Sequence, residues 1–381
     1  MHTPLDFERQ TRLQAAMQQD ELAAVLAWRA EEVVLTIGAC PYLGMTLCLY
    51  PRTGEPIVYR FAYEPPDVVP PYLAQRIYTS WDDLQQLLAA DLNRLALGHA
   101  PIGFARDSGR QVLPSLAAEL PALTPAIIER LLAEVSTSDA SAFFAAQSQH
   151  KTSREVVAIR RSNAVAASGL RVFFDALTPG LAEAEVAGRV EAAIHAQTGR
   201  DSIRAARGWA YVQSGPNTLD AGTYSRSSGR ALAAGDLVVI ELATCVDGYW
   251  SDLTRTGVVG QPTDQQIALL NVVREAQAAA LEMVRVGVTH AGVDQAARDY
   301  LAARGYGSGF THATGHHVGF RYHDHGPLLQ PDSAAPLEEG MIITVEPGVY
   351  GVAFGGGARF EDNVLVTADG ARCLSPRELI G

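Results

Sequence analysis

Two acids in one apolar stretch set the chemical question. Residues 235–256 read GDLVVIELATCVDGYWSDLTRT, two strand-like runs (237–244 and 249–258) around the turn pair Asp247-Gly248, a strong hairpin signal. With the turn centred on Val246 and Asp247, Glu241 stands opposite Asp252, and Val239, Ala243, Trp250 and Thr254 share their face. Facing carboxylates about 5 Å apart repel, and Glu241 interrupts an otherwise apolar run with no basic residue on its own face. Buried acids need a shared proton, a bound metal ion, or a Lys or Arg from elsewhere; the hairpin alone leaves these open.

A second cluster lies between Phe310 and Asp324, FTHATGHHVGFRYHD, with His312, His316, His317 and His323 among glycines and apolar residues. Neutral imidazole is a common metal ligand and acid/base group. Two later strand-like pieces, MIITVEPGVY (341–350) and ARFEDNVLV (358–366), each carry an acid in or at the end of an apolar run, Glu346 and Glu361. For Glu361 the plain alternative is an edge-strand acid paired with Arg359. Four carboxylates with at least one imidazole and no thiolate suit Mn²⁺, Co²⁺ or Zn²⁺ in a reactive site better than a structural zinc. Four negative charges balance two divalent ions, and paired ions activate a bridging water for hydrolysis at a carbonyl.

The rest of the chain must position these groups. Its 381 residues suggest two domains. Residues 7–29 carry a helical pattern running into an apolar strand-like piece, followed by apolar runs at 33–37, 46–50 and 57–59. Helix-like 81–95, a strand at 102–104 and helix-like 111–120 come next. This alternation predicts a smaller α/β domain over residues 1–150, without a catalytic cluster. A boundary falls near Gln147–Lys151. Thr152-Ser153-Arg154-Glu155 then resembles a capping box opening a helix to about Leu177, stopped by Pro179-Gly180. Helix-like 181–197, strand-like 208–215 and alanine-rich helices over 264–284 and 291–304 frame the acids, and the segregation of strands from helices predicts α+β for residues 151–381.

Composition narrows the function. A net charge of −12 argues against nucleic acid. No apolar run is long enough to span a membrane, and the N-terminus lacks a secretory pattern. Scattered Cys40, Cys48, Cys245 and Cys373 predict reduced thiols in a cytoplasm.

The ordered motifs SDLTRT, HATGHHVG, YHD, LEEGMIITVEPGVY and GGGARFEDNVLVT resemble the pita-bread metallopeptidase family, which includes Xaa-Pro dipeptidases, Xaa-Pro aminopeptidases, methionine aminopeptidases and the metal-free creatinases. The resemblance covers residues 151–381. More loosely, ERQTRLQAAMQQDELAAVLA is similar to the small N-terminal domain of prolidases and creatinases. It implies metal ligands at Asp252, His316, Glu346 and Glu361, with Glu241 in the place of the family's first aspartate. Asp252 and Glu361 would bridge two divalent ions, and Glu346 would also act as general base. His312 and His323 would line the substrate pocket, while Tyr350 and Arg359 hold the ligands in place. His317 fills a usually small position and is read as structural.

The chain departs from that pattern in three places. One is Glu241 itself. The second is the segment 214–230, SGPNTLDAGTYSRSSGR, which lacks a pocket histidine and has Gly222, Thr223 or Tyr224 there. The third is the segment 325–340, which lacks the arginine that holds a substrate carboxylate, leaving Arg321, Arg204 or Arg207 as substitutes. The resemblance implies a homodimeric exopeptidase acting on short proline-containing peptides. The alternatives are a creatinase-like or cyclic amidine hydrolase, or an inactive homologue serving as a binding module.

Overall fold

In the computed structural model the described residues are 5–95, 97, 100–107, 123–222 and 226–376. The helix expected over 111–120 and the positions Thr223 and Tyr224 lie outside them. The chain forms two compact units, Met1–Ser148 and Gln149–Gly381.

In chain order, the first unit comprises α1 (Phe7–Gln19), β1 (Ala24–Ala27), α2 (Ala30–Ile37), β2 (Leu47–Pro51), β3 (Ile57–Phe61) and β4 (Ala74–Tyr78). These are followed by α3 (Trp81–Leu95), β5 (Ile102–Phe104), α4 (Pro125–Leu131), β6 (Thr137–Asp139) and α5 (Ser141–Gln149). The strands make one mixed sheet in the order β4-β3-β2-β1-β5-β6. Leu26, Leu49 and Tyr59 from the sheet pack with Leu84, Leu88 and Ile128 from the helices. The apolar run 33–37 is the end of α2, closed by Gly38 at φ 66°. Val33, Val34, Leu35 and Ile37 are all buried, and a run buried on every side carries no period that separates strand from helix.

The entry to α2 holds a titratable group. The Glu32 carboxylate accepts the backbone N–H groups of Trp28 (3.1 Å) and Arg29 (3.2 Å). Burial, and then repulsion from Glu31, push its pKa up to about 7 despite Arg29 beside it. A carboxyl group with a raised folded pKa stabilises fully below its unfolded value near 4.5 and loses that contribution as pH rises through 7. Glu32→Gln is therefore expected to raise stability by about 1–3 kcal/mol at pH 8 and to leave it nearly unchanged at pH 5. Thermal denaturation at the two pH values checks this; an equal shift at both would remove Glu32 titration as the cause.

The second unit begins with α6 (Ser153–Asp175), capped by Thr152 with Glu155 completing the box. Then come α7 (Glu183–His195), β7 (Ala206–Ser214), β8 (Leu237–Val246), β9 (Tyr249–Val258), α8 (Asp264–Met283) and α9 (His290–Ala303). The chain continues through β10 (Ile342–Val345), β11 (Gly348–Gly351), β12 (Gly356–Arg359), β13 (Asp362–Thr367) and β14 (Gly370–Cys373). The sheets are β7-β8-β9, β10-β13-β14 and β11-β12. One apolar core joins α6 and α7 to the first sheet through Leu170, Phe173, Val190, Ile240 and Leu253. Another joins α8 and α9 to the other sheets through Val273, Ala297, Ile343, Val349 and Val364. Helices and strands are segregated, as α+β requires.

The hairpin forms one pair further along than expected. Val246 pairs with Tyr249, so the turn is Asp247-Gly248; Glu241 faces Thr254, and Asp252 faces Ala243. Positive φ at Asp247 (50°) and Gly248 (89°) meets the demand of a two-residue type I′ turn. A shift of two in register keeps every side chain on its face, so Glu241 and Asp252 remain neighbours on a diagonal.

Candidate metal centre

The two later acids sit where strands break. The pieces 341–350 and 358–366 are each two strands, because the chain changes sheet at Glu346-Pro347 and at Phe360-Glu361. Val345 pairs with Asp362 and Gly348 with Arg359, which places the breaks side by side. Proline supplies no N–H and fits the gap in the ladder. Glu346 and Glu361 thus leave their strands next to each other, facing the hairpin acids. The loop bearing His316 enters against β10: His316 N–H donates to the Thr344 hydroxyl at 3.0 Å, and Glu346 N–H to the Thr314 carbonyl at 2.7 Å. Gly315 allows this approach, since a Cβ there would lie 2.0 Å from the Thr344 carbonyl oxygen.

Three groups of donors result: Asp252 with His316 and His323, His316 with Glu346 and Glu361, and Glu241 with Asp252 and Glu361. Asp252, His316 and Glu361 each belong to two of them, so all five expected ligand positions and His323 converge on one cluster. Asp252 is anchored by Asn363, whose amide accepts from Asp252 N–H (3.1 Å) and donates to its carbonyl (2.7 Å). Glu361 is anchored by Arg255, which donates to the Glu361 carbonyl (2.5 Å) and to Asp362 (2.7 Å).

Arg359 supplies the cation from elsewhere in the chain that the hairpin left open as one way to neutralise its acids, and it pairs with Glu241. It arrives from β12 and donates to Glu241 at 2.5 Å, to the Thr254 hydroxyl at 3.0 Å, and to both Tyr350 Oη and the Ala221 carbonyl at 2.7 Å. Tyr322 donates to Glu241 at 2.7 Å, and the Thr254 hydroxyl lies against both Glu241 and Glu361. Burial alone would raise the Glu241 pKa; Arg359 and these hydrogen bonds reverse the sign and bring it down to about 2.

For the other acids burial and mutual repulsion outweigh what relief Arg359 and nearby hydroxyls give. Burial, with Glu361, Glu241 and Glu346 nearby, pushes Asp252 well above the carboxylate range; burial with Glu346 and Glu241 does the same to Glu361. Burial takes Glu346 to about 8 although Arg359 lies 3.9 Å away. Asp252 Oδ1 and Glu361 Oε1 are buried with no hydrogen-bond partner, an arrangement that costs several kcal/mol per uncompensated charge. His316 gives its Nδ1–H to the His317 carbonyl at 2.9 Å. Its Nε2 faces Asp252 at 3.3 Å and Glu346 at 3.6 Å, and burial lowers its pKa. A neutral imidazole lone pair turned to two carboxylates, beside two orphaned oxygens, is a donor set that fits a divalent cation.

The remaining predicted residues fall around this cluster. His323 places Nε2 3.9 Å from Asp252, and burial and His316 push its pKa down to about 2. His312 has both nitrogens engaged inside the chain, Nδ1 to the Ala313 carbonyl (2.8 Å) and Nε2 to Tyr350 Oη (3.0 Å). Burial and Arg359 hold it neutral, at about 4. His317 is fully buried, with Nε2 3.0 Å from that of His290. Arg204 and Arg207 lie at the turn end of the hairpin sheet, where Arg207 is opposite Cys245, and Arg321 is buried. The sequence reading gave no role to Tyr322, Thr344, Asn363 or Arg255. For Thr254 alone a signal existed, its place on the face of the two hairpin acids.

Residues 157–368 match the profile of metallopeptidase family M24. An uncharacterized peptidase of Bacillus subtilis is 37% identical over 233 residues, 60% of this chain and 64% of that protein. An Xaa-Pro dipeptidase of Lactobacillus helveticus is 34% identical over 241 residues, 63% of each chain. The chain thus spans under two thirds of the length of these relatives. The prolidase from Pyrococcus furiosus superposes with a TM-score of 0.75 at 26% identity, over 96% of this chain and 99% of that one. The chain belongs to metallopeptidase family M24, and its architecture is the pita-bread α+β fold.

Proposed function

We propose that the protein is a metal-dependent exopeptidase that hydrolyses Xaa-Pro bonds in short peptides. The observation that carries this reading is the pair of orphaned oxygens, Asp252 Oδ1 and Glu361 Oε1, at the centre of overlapping acid and imidazole clusters. The names of the relatives, Xaa-Pro dipeptidase and prolidase, support the substrate class. Glu241, Asp252, His316, Glu346 and Glu361 would hold the metal, with Asp252 and Glu361 shared between two ions. Four carboxylates against the Arg359 guanidinium leave three net negative charges, more than one divalent ion cancels.

When bound, such ions polarise the peptide carbonyl and acidify water. The residues do the rest. Glu346 accepts the proton of the attacking water and returns it to the departing prolyl nitrogen. His323 turns Nε2 toward the centre and lies where it can steady the tetrahedral carbon's oxygen. His312 reaches substrate only by giving up Tyr350, while Arg359 holds Tyr350 and Glu241 in place. Residues 1–150 would serve as a prolidase-type N-terminal domain in a cytoplasmic homodimer.

Metal analysis with a peptide panel tests the reading. Protein soaked in Mn²⁺ or Co²⁺ and desalted is expected to retain about two ions per chain and to cleave Xaa-Pro dipeptides. Retention of under half an ion, with turnover of a guanidino or amidine compound instead, would replace it by the creatinase-like reading. Metal retention without cleavage of any short peptide would leave a binding module.

A further inference from the structure

The face of the hairpin sheet that carries the acids also carries an aromatic ledge that the proposed reaction does not use. Opposite residues on antiparallel strands share a face. Trp209 on β7, Ala243 on β8 and Asp252 on β9 therefore form one row. In the next row, Trp250 on β9 stands opposite Cys245 on β8. The two tryptophans sit on the outer strands and lean over the small side chains of the middle one until they stack, with centroids 5.1 Å apart and planes at 19°.

Both indoles keep part of their surface in solvent. The ledge is also continuous with the metal centre. The Tyr322 ring lies 6.4 Å from Trp250 and 4.5 Å from His323, and its hydroxyl bonds Glu241. The His323 ring lies 3.7 Å from that of His316. One step from Asp252, then, the anionic cluster gives way to a flat, polarisable, apolar surface.

We propose that Trp209 and Trp250 form a side-chain subsite beside the metal centre that selects substrates carrying an aromatic residue next to the cleaved bond. This deepens the exopeptidase reading and rests on it. An aromatic side chain completes the offset stack that the two indoles begin, whereas glycine or alanine covers nothing. A single aromatic pair is worth up to about tenfold in discrimination.

The test compares Phe-Pro with Gly-Pro. In the metal-loaded parent, kcat/KM is expected to favour Phe-Pro by up to about tenfold. Trp209→Leu, which keeps an apolar side chain on the strand, is expected to bring that ratio close to unity, with the loss in KM rather than kcat. An unchanged ratio in Trp209→Leu overturns the proposal. Failure of the exopeptidase reading is told apart by a second measurement that needs no turnover, tryptophan emission of the metal-stripped protein titrated with each dipeptide. Only four tryptophans are present, so the ledge contributes a large share of the signal. Saturable quenching by Phe-Pro at a Kd about tenfold below that for Gly-Pro, lost in Trp209→Leu, supports the subsite even where no peptide is cleaved. Equal titrations with the two dipeptides sink it.

Discussion

Replacing Asp252 with asparagine is expected to lower kcat/KM by about a thousandfold or more, and to raise the stability of the metal-free protein at the same time. The two effects share one cause. Asp252 belongs both to the group with His316 and His323 and to the group with Glu241 and Glu361, so losing its charge weakens both halves of the centre. The backbone contacts with Asn363 do not involve its carboxylate and survive the change. The side-chain volume is kept, so the fold has no reason to shift. Without metal, the parent must crowd Asp252 against Glu361 and Glu241, and its carboxyl group responds with a strongly raised pKa. Asparagine removes that repulsion and brings N–H donors toward the orphaned Glu361 oxygen, a gain of about 1–3 kcal/mol. Metal analysis and denaturation of the stripped protein check both halves. A variant that retained about two ions, or whose metal-free form was less stable than the parent, would contradict the role given to Asp252.

How far the sequence foretold this site depends on the kind of signal each residue leaves. The elements of the second unit follow from local signals: the Thr152–Glu155 box opens α6 as read, and Asp247-Gly248 makes the hairpin. The register of that hairpin slipped because Asp-Gly can be placed at either of two turn positions, and only the positive φ of both residues decides. The faces survived the slip because the side-chain period is two. Glu346 and Glu361 stood out as acids in apolar runs. That the runs break at those acids was hidden, since a change of sheet leaves no periodic trace beyond Pro347. Arg359, named through the family resemblance but not from the hairpin, shows the limit of reading the hairpin by itself. It is 118 positions from Glu241 along the chain, so a search for a cation on the hairpin face could not find it. Tyr322 is similar: an ordinary tyrosine beside a histidine until the fold brings its hydroxyl to Glu241.

The same distant ion pair yields the second large effect. Arg359→Met keeps the length and the apolar stem but removes the guanidinium that binds Glu241, Thr254, Tyr350 and the Ala221 carbonyl. Breaking a buried pair by deleting one partner leaves an uncompensated charge and costs about 3–5 kcal/mol. The pH dependence carries the sign of Glu241. Its folded pKa of about 2 lies below the usual 4.5, so its contribution is present above 4.5 and fades as pH falls through 2. Metal-free Arg359→Met should therefore fall furthest behind the parent at pH 7 and come closer at pH 3. Divalent ions supply positive charge to the same acids, so Mn²⁺ is expected to recover much of the lost stability at pH 7, giving the variant a larger metal-dependent gain than the parent. Urea denaturation with and without Mn²⁺ measures this. Equal deficits in both conditions would mean that Arg359 stabilises through packing alone, and that the guanidinium does not share the task of neutralising the acids with the metal.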